Sequence, residues 1–138
     1  MQTARRIAIL LVVGTFIATA EAIVYTGATP VFVEIEPRTF YLDPDKLAQA
    51  ITPKTRAVVP VHLFGKPVNI LAISQLCKQH DLILIEDCAQ SFGAHINGKM
   101  TGSFGELGAF SFYPSKNLSC FGDGGLVTTN NQQLADTV

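Results

Sequence analysis

The 138-residue chain has no surplus of charge of either sign: 10 Lys and Arg stand against 11 Asp and Glu, a net of −1. No basic stripe is present to follow a nucleic-acid backbone, and no run of like charge reads as a solvated tail. Cysteine is scarce. Cys77, Cys88 and Cys120 form an odd set with no Cys-x-x-Cys pair, which argues against a disulfide framework and fits reduced thiols in the cytoplasm. His62, His80 and His95 have no ligand spacing to those cysteines, so no metal site is expected. Repeats, low-complexity tracts and Ser/Gly linkers are missing too. No apolar run is long enough to span a bilayer. Arg5-Arg6, the run Ile7 to Val13 and Ala18-Thr19-Ala20 have the outline of a signal peptide, but the run serves equally well as a buried strand. The expectation is therefore no membrane, no nucleic acid and a cytoplasmic location. What remains is a length that fits one modest domain with a real core, 48% hydrophobic residues and eleven glycines, the texture of a buried α/β sheet with tight turns.

Strand and helix signals alternate along the first two thirds of the chain, which implies a mostly parallel sheet flanked by helices. Thr15 to Tyr25 reads as an Ala-rich helix closed by Gly27. Pro30 to Ile35 is a β-branched run. Asp43-Pro44 caps a short helix, Asp45 to Ala50. Ala57 to Val61 is a strand. Ile70 to Gln79 carries Ile70, Ile73, Leu76 and Cys77 on one stripe and reads as a helix. Leu82 to Ile85 is an apolar run of inner-strand length ending in Glu86 and Asp87. Beyond Gln90, Asn97-Gly98 is a hairpin dipeptide. Ala109 to Tyr113 and Leu126 to Thr129 read as strands, with Gly122-Asp123-Gly124-Gly125 as a tight turn between them, and Asn131 begins a last helix.

Ligands of open α/β sheets bind beyond the carboxyl ends of the strands. By that rule Asp87, Gln90, Ser111 and Lys116 should face one crevice. Asp87 ends an otherwise apolar strand and needs a donor or cation there. A pyridinium N–H of pyridoxal 5'-phosphate is one such partner; a helix N-cap or a metal role are the alternatives. Glu86, one residue earlier, should point to the opposite face and be structural. Lys116 follows an aromatic strand, where partial desolvation favours the neutral amine that adds to carbonyls; a solvated loop lysine is the plain alternative. Ser111 can donate to a phosphate, Gln90 to a ring oxygen, and Phe16 can lie on a heteroaromatic ring, although each also has an ordinary structural use. His62 is read as a satisfied structural histidine.

Glu86-Asp87-Cys88-Ala89-Gln90, the segment Phe110 to Leu118 around Ser111 and Lys116, Gly122 to Gly125, and upstream Pro60 to Gly65 and Gly27 to Val33 together resemble the DegT/StrS family of pyridoxal-phosphate-dependent sugar aminotransferases. The resemblance covers about Thr15 to Val138. It implies an aspartate-aminotransferase-like (type I) large domain, here incomplete: 1–138 as a single partial cofactor-binding domain, without the family's N-terminal segment and C-terminal small domain. It implies that Lys116 forms the Schiff base with pyridoxal 5'-phosphate and shuttles the proton, that Asp87 keeps the pyridine nitrogen protonated, and that Gln90 contacts the ring or its phenolic oxygen. Ser111 would bind the phosphate and Phe16 would stack on the ring. The implied reaction moves an amino group from glutamate or glutamine to a keto sugar, usually nucleotide-linked, in a homodimer. Lysine rather than histidine at 116 argues against the family's dehydrating branch.

Two other readings are kept beside this one. An inactive fragment or interaction module would pair with a full-length aminotransferase. A Rossmann-type nucleotide binder needs a glycine-rich loop after the first strand, where only Gly14 stands.

Overall fold

The computed structural model describes the strand Ala8–Val12 and residues 17–138. The apolar run near the N-terminus is a strand of the sheet interior. β1 (Ala8–Val12) pairs in parallel with β2 (Thr29–Val33) on one side and β3 (Thr55–Val59) on the other. β4 (Ile83–Asp87) pairs with β3, again in parallel. Asn97 and Gly98 have φ of 52° and 78° and join β5 (His95–Ile96) to β6 (Lys99–Met100) as the expected hairpin. Both loop positions of such a two-residue turn require positive φ, which Asn and Gly tolerate best. β7 (Leu107–Ser111) adds to β4 in parallel, and β8 (Gly125–Thr128) closes the edge antiparallel to β7. The main sheet therefore runs β2-β1-β3-β4-β7-β8.

Helices cover both faces. In α2 (Pro44–Ala50) the Asp43 carboxylate accepts from the N–H groups of Asp45 and Lys46 at 2.8 and 3.4 Å, and Pro44 occupies the first turn, where its missing N–H costs nothing. α3 (Ile70–Gln79) is capped by Asn69 and buries Ile70, Ile73 and Cys77, one stripe at helical spacing. Leu47, Ile70 and Ile73 are wholly buried against Val58 of β3 and Leu84 of β4. Burial on that scale is worth about 1.5–3 kcal/mol per side chain. On the other face α1 (Ile17–Tyr25) packs Ala20 and Ile23 on Val59 and Ile85. It ends where Gly27 takes φ 80° and donates its N–H to the Val24 carbonyl.

Several boundaries differ from the sequence reading for identifiable reasons. β3 stops at Val59 rather than Val61 because Pro60 has no N–H for the ladder; Val61 keeps only an isolated bridge to Asp87. β4 extends past Ile85, since Glu86 and Asp87 find partners in Gly108 and Ala109 of β7. β7 ends at Ser111, two residues before the end of the aromatic run. The β7–β8 connection is a long loop over 112–124 rather than a tight turn alone, and it carries Lys116.

Gly105, just before β7, packs closely against β4. A Cβ there would lie 2.3 Å from the Leu84 carbonyl oxygen. Gly105→Ala must therefore shift backbone, and it is expected to lose about 2–3 kcal/mol of stability, read from the denaturant midpoint. A variant with an unchanged midpoint would contradict this packing.

Candidate functional site

β4 divides its last two residues between the two faces of the sheet. Alternation along the strand sends Leu84 and Glu86 toward α2 and α3, and Ile85 and Asp87 toward α1. Glu86 is fully buried. Its Oε2 accepts from His62 Nε2 at 3.0 Å and from the Gly102 N–H at 2.8 Å; its Oε1 accepts from the N–H groups of Phe104 and Gly105 at 2.6 and 2.8 Å. Burial on its own raises the carboxyl's pKa. The His62 hydrogen bond and the Gly105 and Gly102 amides outweigh it, so the group is held below its ordinary value.

His62 is also fully buried, and its Nδ1 accepts from the Val68 N–H at 3.1 Å. A backbone amide only donates, so Nδ1 has no proton and Nε2–H points at Glu86. His62, Glu86 and Cys88 bring ligand atoms within 4.8 Å of one another, but the donor set is committed elsewhere. Both imidazole nitrogens and both carboxylate oxygens are engaged, and burial followed by the Glu86 charge pushes the Cys88 thiol up to about 12. The imidazole and the carboxylate form a hydrogen-bonded core at this point of the sheet.

Asp87 is only partly buried. Its Oδ2 accepts from the Thr19 hydroxyl of α1 at 3.0 Å, and its Oδ1 from the Ala89 N–H at 3.1 Å. Its backbone is held from the β3 side, with the Asp87 N–H donating to Pro60 O and the His62 N–H to Asp87 O, at 2.9 and 3.0 Å. Ser111 lies on the same face of the sheet, two residues beyond Ala109, the β7 partner of Asp87. Its hydroxyl accepts from the Tyr113 N–H at 3.3 Å.

Gln90 and Lys116 line one cavity of about 490 Å³ together with Phe64, Gly65, Ser115 and Asn117. Lys116 is half-buried. Gln90 is fixed by the Phe64 N–H, which donates to its Oε1 at 3.0 Å. Asn117 ties the lysine loop back by donating to the Phe92 carbonyl at 2.8 Å. Of the four described residues that the sequence assigned to one crevice, Gln90 and Lys116 share this cavity. Asp87 and Ser111 share the neighbouring sheet face at the same carboxyl edge and are not among the cavity's lining residues. Phe16 falls outside the described residues.

Four residues escaped the sequence reading. Thr19 looked like one more small residue of an Ala-rich helix, although it sits in the first turn, where α1 meets the strand ends. Phe64 and Gly65 follow β3, so the strand-end rule that singled out Asp87 also pointed to them. Asn117 adjoins Lys116 and could have been read as an anchor for its loop.

A family model described as the DegT/DnrJ/EryC1/StrS aminotransferase family matches residues 3–138. The chain belongs to that family. Over 120 residues it is 53% identical to the UDP-N-acetyl-3-dehydro-alpha-D-glucosamine 3-aminotransferase of Acidithiobacillus ferrooxidans, an alignment covering 87% of this chain and 32% of that protein. The structure of S. venezuelae DesV in complex with a ketimine intermediate matches with a TM-score of 0.86 and 47% identity, over 92% of this chain and 35% of that one. The structure of ntda from Bacillus subtilis with bound cofactor PMP matches with a TM-score of 0.86 and 36% identity, over 94% of this chain and 29% of that one. The chain thus spans about a third of the length of these DegT/DnrJ/EryC1/StrS relatives. The fold expected from the sequence, a mostly parallel aminotransferase sheet flanked by helices, is the fold observed. No helix among the described residues is long and apolar enough to cross a membrane.

Because Glu86 titrates below its ordinary value, its contribution to stability is complete above that ordinary value, about 4.3, and is lost as pH falls through its folded value. Glu86→Gln turns an NH2 group toward backbone donors and is expected to cost on the order of 3 kcal/mol at neutral pH. It should also flatten the acid side of the stability–pH curve, measured by denaturant melts between pH 3 and pH 7. An acid limb identical to wild type would show that another group carries that dependence.

Proposed function

We propose that this chain is the cofactor-binding part of a pyridoxal-phosphate-dependent sugar aminotransferase. In this reading it transfers an amino group from an amino acid, glutamate or glutamine, to a keto sugar that is usually nucleotide-linked. The observation that carries the reading is the shared cavity of Lys116 and Gln90 at the sheet edge where Asp87 ends β4. Its volume of about 490 Å³ falls within the range of small-molecule and cofactor sites. Its donor set also fits the group: an amine, an amide and, on the adjoining face, a carboxylate and a hydroxyl. The names of the related proteins support the substrate class.

Each residue has a distinct task in this reading. Lys116 supplies the amine that joins the cofactor covalently and then moves a proton between substrate carbon and cofactor. Asp87 accepts the pyridinium N–H, and its position is set by Thr19 and the Ala89 amide. Gln90, whose oxygen already accepts from Phe64, turns its NH2 toward the phenolic oxygen. Ser111 donates to the phosphate. Phe16 is the proposed stacking residue. Bound pyridoxal phosphate would supply an aldehyde that takes up amino groups and a ring that accepts electron density. A cytoplasmic homodimer is part of the same proposal and rests on the family resemblance.

Borohydride reduction of the full chain loaded with pyridoxal phosphate should fix the cofactor on the peptide containing Lys116, read by mass spectrometry, and Lys116→Ala should abolish the adduct. An adduct that persists in Lys116→Ala removes the assignment. Asp87→Asn should lower amino transfer by about 10- to 100-fold, the worth of one charge-assisted hydrogen bond.

A further inference from the structure

Two of the six residues lining the Lys116 cavity, Phe64 and Gly65, sit in one short loop with φ of 55° and 75°. For Phe64 that left-handed conformation is strained, so something must hold it. The loop is closed by a side chain: His62 Nδ1 accepts the Val68 N–H at 3.1 Å, which ties the residue before the loop to the residue after it. The same imidazole is anchored through Nε2 to Glu86. Both His62 and Val68 are wholly buried. Within the closed loop the Phe64 N–H meets Gln90 Oε1 at 3.0 Å. An amide oxygen held in that way leaves the Gln90 NH2 as the end that a ligand can use.

We propose that His62 is a positioning residue for the cavity. Its Nδ1 sets the shape of the 63–67 loop, and the loop in turn fixes which end of the Gln90 amide faces the bound group. This rests on Gln90 contacting the cofactor, as proposed above. The two ring nitrogens have separable jobs. Nδ1 holds the loop, and Nε2 anchors the imidazole to the Glu86 core.

Two substitutions separate the jobs. His62→Gln keeps a donor that reaches Glu86 and removes the acceptor for Val68. His62→Asn keeps an acceptor near the Nδ1 position and gives up the reach to Glu86. In the full chain, His62→Gln should weaken pyridoxal phosphate binding about tenfold, one hydrogen bond's worth, and His62→Asn should restore most of that affinity even if its Tm is lower. The tenfold loss should vanish in a Gln90→Ala background, because the effect passes through Gln90. Amide hydrogen exchange at Phe64 and Val68, measured without cofactor, should speed up in His62→Gln.

A lowered Tm with unchanged cofactor Kd, an equal loss with and without Gln90, or unchanged exchange at both amides would each overturn the proposal and leave His62 as a core residue. Failure of the underlying reading looks different: the wild-type chain would then form no borohydride-stable adduct on Lys116. The exchange rates still decide whether His62 holds the loop.

Discussion

The buried carboxylate of Glu86 is the constraint from which the rest of this structure follows. A charged group without exposure to water is tolerated only when its oxygens are fully engaged. Here four donors converge on it from the His62 ring and from three backbone amides of the segment 102–105. Meeting that requirement draws the end of β3, the end of β4 and the approach to β7 to a single point. Those three chain segments also lead to the elements of the candidate site: the Phe64–Gly65 loop, Asp87 with Gln90, and the strand that runs into Lys116.

The strict alternation of a strand then does the sorting. Glu86 and Asp87 are adjacent in sequence and chemically similar, yet one faces the α2/α3 layer and the other faces α1. The first is enclosed and saturated. The second stays partly accessible and keeps company with a helix hydroxyl. The Asp87 backbone is fastened on both sides, to Pro60 and His62 on one and by strand pairing with Ala109 on the other, which keeps its carboxylate from shifting.

Much of this was legible before any coordinates. The helix from Ile70 to Gln79 was bounded correctly because an apolar stripe at helical spacing leaves little choice, and Asp43-Pro44 and Asn97-Gly98 carry their own geometry in their side chains. The opposite orientations of Glu86 and Asp87 followed from strand periodicity alone. The donors to Glu86 were not legible, because they are peptide N–H groups of Gly102, Phe104 and Gly105, and a main-chain donor has no residue signature. The start of β7 was missed for a related reason. Its aromatic residues suggested a strand beginning at Ala109, whereas Gly108 lets Gly102 pack against the strand so closely that a Cβ would lie 2.4 Å from the Gly102 Cα. Phe64 was missed as well, since propensity argues against a phenylalanine at positive φ and only the surrounding hydrogen bonds explain it.

The Glu86 cage also has a bearing on the order of assembly. Its three peptide donors lie 16, 18 and 19 residues downstream of the carboxylate. During synthesis the strand that carries Glu86 emerges before them and, until they arrive, must leave its charged end hydrated. The β2-β1-β3 side of the sheet has no such requirement, because its strands pair without anything from that region. The corner where β4 ends is thus enclosed only once residues 102–105 have reached Glu86.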